Sequence, residues 1–200
     1  MVFKKIEKEI KRNKKKEILK LLEEHNAMLI GHFELSSGLH SDRYFQCAKL
    51  LNDIKIAEFI GNKLANKFKK IDIDVVVGPA LGGMIIGHEV ARALSKKSIF
   101  VERKDGEMSL RRGFEIKPGE RVLIVEDVIT TAKSALEAVK VIEALGAKVV
   151  GFGCIVDRSQ GKTGLTINSL VQIDPVTYLP DDCPLCKAGS KAIKPGSRTT

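Results

Sequence analysis

Two hundred residues, 44% hydrophobic and 30% charged, suit one soluble α/β domain with enough chain to bury a substantial core. No stretch approaches the roughly 18 uninterrupted apolar residues of a membrane span, and Lys and Glu break up the N-terminus where a signal peptide needs an apolar run, so a cytoplasmic location is the expectation. The net charge of +9 is concentrated in residues 1–20, which hold nine basic and three acidic side chains.

Within residues 4–24, Ile6, Ile10, Ile18, Leu19, Leu21 and Leu22 recur among charges at approximately helical spacing. The expectation is a basic helix over 1–25 whose charges form a solvated face, with nucleic-acid contact as the other use of such a segment. Residues 26–50 differ: NAMLIGHFELSSGLHSDRYFQ is punctuated by Gly and Ser and carries Phe33, Tyr44 and Phe45. It reads as two short strands around a turn at Ser36-Ser37-Gly38. Helical periodicity returns over 53–69 through Ile56, Phe59, Ile60, Leu64 and Phe68.

From residue 74 strands alternate with helices. Asp74–Val77 is a strand running into Gly78-Pro79-Ala80-Leu81-Gly82-Gly83 and a helix, and Ser98–Val101 is a second strand. Val122–Val125 is a third, followed by a helix over about 133–145; Val149–Val156 and part of Thr166–Ile173 complete the set. This order predicts a largely parallel central sheet flanked by helices, with an α/β core over 51–180 and a C-terminal extension over 181–200. Ligands of such sheets bind beyond the carboxyl ends of the strands, where 78–83, 126–134 and 157–158 fall.

Cys47, Cys154, Cys183 and Cys186 make no disulfide framework in a cytosolic chain of this size. Cys183-Pro-Leu-Cys186 is a single CxxC pair, and a structural zinc site needs a second pair at comparable spacing. No such pair is visible, so a buried or incidental thiol pair is expected and no metal ligand is assigned.

The chemistry concentrates in Arg121–Ser134, RVLIVEDVITTAKS. An apolar strand ends in Glu126 and Asp127, whose carboxylates match the adjacent hydroxyls of a ribose or a metal ion. The turn Thr130-Thr131-Ala132-Lys133-Ser134 then opens a helix, whose N-terminal N–H groups and hydroxyls form an anion cradle. Ion pairing of the acids and ordinary N-capping by the hydroxyls are the alternatives, and the GxxxxGK[ST] spacing of a Walker A loop is absent.

VLIVEDVITTAKS resembles the phosphoribosyl-diphosphate (PRPP) signature of type I phosphoribosyltransferases. Phe33–Gln46, VGPALGG over 77–83, LRRGF over 110–114 and Val156-Asp157-Arg158 follow in the order expected of the orotate phosphoribosyltransferase family. The resemblance covers roughly residues 27–198 and includes the Cys-Pro-Leu-Cys and Lys-Pro-Gly-Ser-Arg ending of one branch. It implies the type I phosphoribosyltransferase fold with a small N-terminal hood. It also implies Mg²⁺-dependent transfer of phosphoribose from PRPP to orotate, giving orotidine 5′-phosphate and pyrophosphate, in pyrimidine biosynthesis.

By the resemblance, Glu126 and Asp127 hold the ribose hydroxyls, and Val128, Ile129, Thr130, Thr131, Ala132, Lys133 and Ser134 hold the 5′-phosphate. Pro79, Ala80, Leu81, Gly82 and Gly83 lie against the pyrophosphate. Thr130 and Arg158 contact orotate, and Tyr44 and Phe45 cover it. Residues 102–114 form a mobile catalytic loop whose Arg103, Lys104, Arg111 and Arg112 assist pyrophosphate departure together with Asp127, and which reaches a neighbouring subunit of a homodimer.

Four positions depart from the family pattern. No Lys-x-His pair occurs in 102–114, Ser36 stands where many relatives have Lys, and Leu81-Gly82 stands where many have Tyr-Lys. His40 is a candidate replacement for a missing PRPP contact. Ala132 replaces a Gly; if that position requires φ > 0 it costs roughly 1–2 kcal/mol. Two other readings stand beside the first: transfer to another base such as a purine, and a PRPP-sensing regulator that binds nucleic acid through residues 1–20.

Overall fold

The computed structural model describes residues 15–35, 37–174 and 176–195. Expectations for the first part of the basic helix, for Ser36 and for the last five residues lie outside the described residues. Residues 15–24 are helical (α1) and bury Ile18 and Leu22. Helix α2 (Ala48–Leu51) leads into α3 (Ile54–Ala65), whose start is fixed by Asp53, its Oδ1 accepting from the backbone N–H groups of Lys55 and Ile56.

The core is a six-stranded sheet of β3 (Val75–Pro79), β4 (Lys97–Lys104), β5 (Glu107–Leu110), β6 (Arg121–Ile129), β7 (Lys148–Asp157) and β8 (Ile167–Gln172). Its order is β5-β4-β3-β6-β7-β8, with β5 antiparallel to β4 and the other neighbours parallel. Strand alternation separates two apolar layers. Val76, Leu123 and Val125 face α3 and α4 (Gly82–Leu94), packing with Ile60, Leu64, Ile86 and Val90. Val75, Val77, Val122 and Ile124 face α5 (Lys133–Ala144), packing with Ala135, Ala138 and Ile142. After β3 the chain moves outward to β4 and then returns to the other side of β3 as β6. The direction of winding reverses there, and that reversal opens a crevice between the carboxyl ends of β3 and β6.

The opposite ends of these two strands are pinned. The Arg121 guanidinium makes paired 2.9 Å bonds to both carboxylate oxygens of Asp74 and reaches Asp72 at 2.8 Å. The geometry is the bidentate fork that fixes register as well as charge.

Within 102–114, the segment expected to be a mobile catalytic loop, Glu102–Lys104 extend β4, and 107–110 pair back on them as β5. Asp105-Gly106 turns the hairpin with φ of 54° and 89°. Asp-Gly is the sequence signal for such a two-residue turn, because both central residues need positive φ.

A second, three-stranded sheet forms the hood: β1 (Met28–Glu34), β2 (His40–Phe45) and β9 (Thr177–Tyr178). The hood sheet thus takes its third strand from residues 177–178, after the last strand of the core sheet. A 3₁₀ turn (Pro180–Asp182) and α6 (Pro184–Lys187) follow β9, and Ile193 then exchanges backbone bonds of 2.8 Å with His32 and Glu34. No helix among the described residues is long and apolar enough to cross a membrane.

Candidate active site

Strand order brings three separated segments together. Pro79 ends β3, Glu126 and Asp127 lie near the end of β6, and Asp157 ends β7, all at carboxyl ends of adjacent parallel strands. The approach of 78–83 to the acids is close: a Cβ on Gly82 would lie 2.4 Å from Asp127 Oδ1, and one on Gly83 2.6 Å from the Val125 carbonyl. Only glycine fits at either position, so the first turn of α4 lies directly against the Asp127 carboxylate. Leu81, in the same turn, is 78% exposed and offers its side chain to solvent.

Glu126 is buried, and its carboxyl is pushed up to about 8, first by burial and then by the neighbouring Asp127 charge, with Arg103 opposing. Burial also raises Asp127, although its Oδ1 accepts the Val128 N–H at 2.8 Å. Two acids held in this way are poised for donors brought by a ligand.

Beyond them the chain curls around a cavity of about 160 Å³ lined by Glu126 and residues 128–134. Thr130, Thr131 and Lys133 are exposed, and the first turn of α5 opens there, with the Lys133 N–H donating to Thr131 Oγ1 at 3.4 Å. Ala132 stands at the N-cap with φ 58° and ψ 17°, so the left-handed conformation contemplated for this position is the one adopted. Its methyl is 5% exposed and packs in the α5 layer.

Arg158 is placed beside this loop by its N–H bond of 2.7 Å to the Ile129 carbonyl, and Asp157 Oδ1 accepts the Ser159 N–H in the turn that follows. The Arg158 guanidinium lies 5.1 Å from the centre of the Phe45 ring. Its Nε and Asp42 Oδ1 are buried without a hydrogen-bond partner among the described residues. Such orphaned groups are costly unless a polar ligand completes them. Phe45 is itself a core residue supporting Arg158, while Tyr44, on the opposite face of β2, is half-buried against Phe33.

The four cations of 102–114 divide. Arg103 reaches across to Glu137 of α5 and lies 3.4 Å from Ser134 Oγ, at the edge of the cavity. Arg111 and Arg112 both contact Glu102, at 3.4 and 2.9 Å, and hold its carboxyl below the usual range. Lys104 is exposed beside the hairpin turn. Arg103 alone among them bears on the charge of Glu126 within this chain.

His40 is corrected. It opens β2 and is 8% exposed, with its ring turned to His32 instead of toward the carboxylates. The thiol pair is also not incidental: Cys183 and Cys186 converge on His32 and His40. The sequence reading missed this grouping because the histidines lie some 150 residues before the cysteines. The available signal was the antiparallel hairpin. His40 pairs with Glu34, and His32 lies two residues before that partner, within the register shift between Ile30 and Phe33.

The sequence model of the family described as "Phosphoribosyl transferase domain" matches residues 48–166. The chain is 48% identical over 186 residues to the orotate phosphoribosyltransferase of Desulforamulus reducens, covering 92% of this chain and 97% of that protein. It is 50% identical over 183 residues to that of Thermotoga maritima, covering 90% and 98%. Among solved structures, the orotate phosphoribosyltransferase of Aeropyrum pernix superposes with a TM-score of 0.65 at 27% identity, over 77% of this chain and 92% of that one. The Mycobacterium tuberculosis H37Rv enzyme in complex with inorganic phosphate gives 0.64 at 27%, over 80% and 96%.

Proposed function

Since this chain belongs to the phosphoribosyl transferase family, and within it to the orotate phosphoribosyltransferases, we propose that it transfers phosphoribose from PRPP to N1 of orotate in pyrimidine biosynthesis. The observation that carries the chemistry is the juxtaposition at the sheet end: a carboxylate pair, Glu126 buried and Asp127 half-buried, an anion cradle contiguous with it, and Arg158 with an unpartnered Nε across from them. In this reading the loop 128–134 takes the 5′-phosphate through hydroxyls and helix N–H groups. Glu126 and Asp127 accept the 2′- and 3′-hydroxyls. Gly82 and Gly83 let backbone approach the pyrophosphate. Thr130 and Arg158, backed by Phe45, take the orotate carboxylate and ring, with Tyr44 at the hood.

The reaction breaks the C1′–O bond, whose electron pair leaves with pyrophosphate, and forms a bond from C1′ to deprotonated N1. The intervening ribose has oxocarbenium character, so the protein's contribution is position and electrostatics. Arg103, already at the cavity edge, is the cation of this chain placed to meet charge developing on pyrophosphate, with Lys104, Arg111 and Arg112 further along the hairpin.

A magnesium ion takes hard oxygen ligands. The donors present fit it: Glu126 and Asp127 bring carboxylate oxygens whose charge burial disfavours and Arg103 offsets only in part. These two would hold it alongside PRPP, and it would supply neutralisation of the diphosphate. A cytoplasmic homodimer, in which the part of the 102–114 segment beyond Arg103 reaches the neighbouring site while Arg103 serves its own, completes the proposal.

Steady-state assays with PRPP and orotate, uracil, adenine, guanine or xanthine test it. Orotate is expected to be the preferred base, and Asp127→Asn to lower kcat/KM for PRPP by roughly 100-fold or more, the scale of losing a group that acts on the developing charge. Preferred turnover of a purine overturns the base assignment. Unchanged kinetics in Asp127→Asn overturn the site.

A further inference from the structure

The His32, His40, Cys183 and Cys186 side chains each aim one ligand atom at a common point, all four atoms lying within 4.8 Å of one another. We propose that this cluster binds a structural zinc ion, which clamps the C-terminal segment to the hood.

Four of the six pairwise distances are close to those of a tetrahedron around an ion, and the overall spread of 4.8 Å has to contract by about 1 Å for the ion to be held by all four. Zinc bonds of about 2.3 Å to sulfur and 2.0–2.1 Å to nitrogen place ligand atoms about 3.3 Å apart for N···N and 3.6 Å for N···S. In the structure His32 Nε2 and His40 Nδ1 are 2.9 Å apart, and Cys183 Sγ is 3.5 Å from His32 Nε2. Cys186 Sγ lies 3.4 Å from His40 Nδ1 and 3.8 Å from His32 Nε2. Movements of a few tenths of an ångström bring all of these to the ideal values.

Protonation agrees. His32 Nδ1 lies 3.1 Å from the Ser190 carbonyl, which can only accept, so Nδ1 carries the hydrogen and Nε2 presents its lone pair to the cluster. This is the backing hydrogen bond that orients zinc-bound imidazoles. Two thiolates with two imidazoles form a donor set that selects zinc over the hard magnesium ion. His32, His40 and Cys183 are buried and Cys186 is half-buried, and four protein ligands leave no open position, so the role is structural and not catalytic.

The C-terminal segment meets the hood through the two-residue strand β9, the Ile193 backbone bonds and a 2.8 Å Lys194–Glu34 ion pair. The Ser41 hydroxyl adds a 3.2 Å bond to the Val176 carbonyl, and the four-residue cluster is a further anchor, at the opposite end of β2 from Phe45, whose ring supports Arg158.

Elemental analysis of the full-length protein, purified without chelator after expression with zinc, is expected to find about one zinc per chain, the stoichiometry of a single closed site. Cys183→Ser/Cys186→Ser and His40→Gln are expected to retain less than about a tenth of it, since losing ligands costs far more than the 10–100-fold of a backing contact. Wild-type protein stripped by a chelator is expected to melt at a lower temperature, with the midpoint restored by Zn²⁺ and not by Mg²⁺. Cobalt(II) in the stripped protein is expected to show tetrahedral d–d bands with thiolate charge transfer. Should the cysteine variant fail to fold, the stripped wild type carries the test alone. Folded, reduced wild type that holds no zinc and gives no cobalt spectrum overturns the proposal. So does a Cys183–Cys186 disulfide in protein lysed under thiol-blocking conditions, or zinc retained in full by both variants.

Discussion

Glu126→Gln separates what the site costs from what it does. Burial and the Asp127 charge hold the Glu126 carboxyl at about 8, against an ordinary value of 4.5. Between those values the folded protein keeps a proton that the unfolded chain has released. Stability therefore falls as pH rises through that window, by about 1.36 kcal/mol for each pH unit. At pH 7 the deficit is on the order of 3 kcal/mol, and above pH 8 it levels off at roughly 5 kcal/mol. Glutamine occupies nearly the same volume and never ionises, so the variant escapes the deficit. Urea unfolding at pH 5, 6, 7, 8 and 9 is expected to show the variant more stable by under about 1 kcal/mol at pH 5, widening to about 3 kcal/mol at pH 7. The same variant is expected to lose kcat/KM for PRPP, because an amide accepts ribose hydroxyls less well than a carboxylate. A difference in stability that stays constant from pH 5 to 9, or a wild type that is the more stable at pH 8, refutes the reasoning. Either result would mean that Glu126 is ionised and satisfied in the folded chain.

Two further substitutions probe the cradle and the base site. Ala132→Gly relieves about 1–2 kcal/mol of left-handed strain but gives up a buried methyl worth about 0.8 kcal/mol and adds about 0.5–1 kcal/mol of chain entropy. Its urea midpoint should therefore stay within about 1 kcal/mol of wild type, whereas Ala132→Val, with a branched side chain at φ 58°, should lose several. A gain above about 2 kcal/mol in the glycine variant contradicts this balance. Arg158→Ala is expected to raise the KM for orotate roughly 10–100-fold, the equivalent of about 1.5–3 kcal/mol for hydrogen bonds to a charged group, and to leave the KM for PRPP within a few fold. Equal losses for both substrates would show that Arg158 supports the fold instead of reading the base.

The parts of this molecule legible in the sequence are those written in local pattern. The apolar runs Val75–Val77 and Val122–Val125 announce buried parallel strands, and the Glu126-Asp127 pair followed by hydroxyls announces a site at a strand end. The 97–110 hairpin was equally legible in Asp105-Gly106, but its charged flanks read as loop. The grouping of His32 and His40 with Cys183 and Cys186 was not, since nothing local says that a C-terminal segment returns to the first hairpin. Nor did the sequence reveal that Arg103 turns to Glu137 while Arg111 and Arg112 turn to Glu102; exposed cations choose partners by tertiary geometry.

The hood's construction also sets an order of assembly. Its first two strands precede the α/β core along the chain, yet their third strand and the thiols facing His32 arrive some 150 residues later. Contacts of such long sequence separation form slowly. The hood is thus begun before the α/β core and finished after it. The α/β core, whose strands and crossover helices follow one another along the chain, can be complete before the hood gains its final strand.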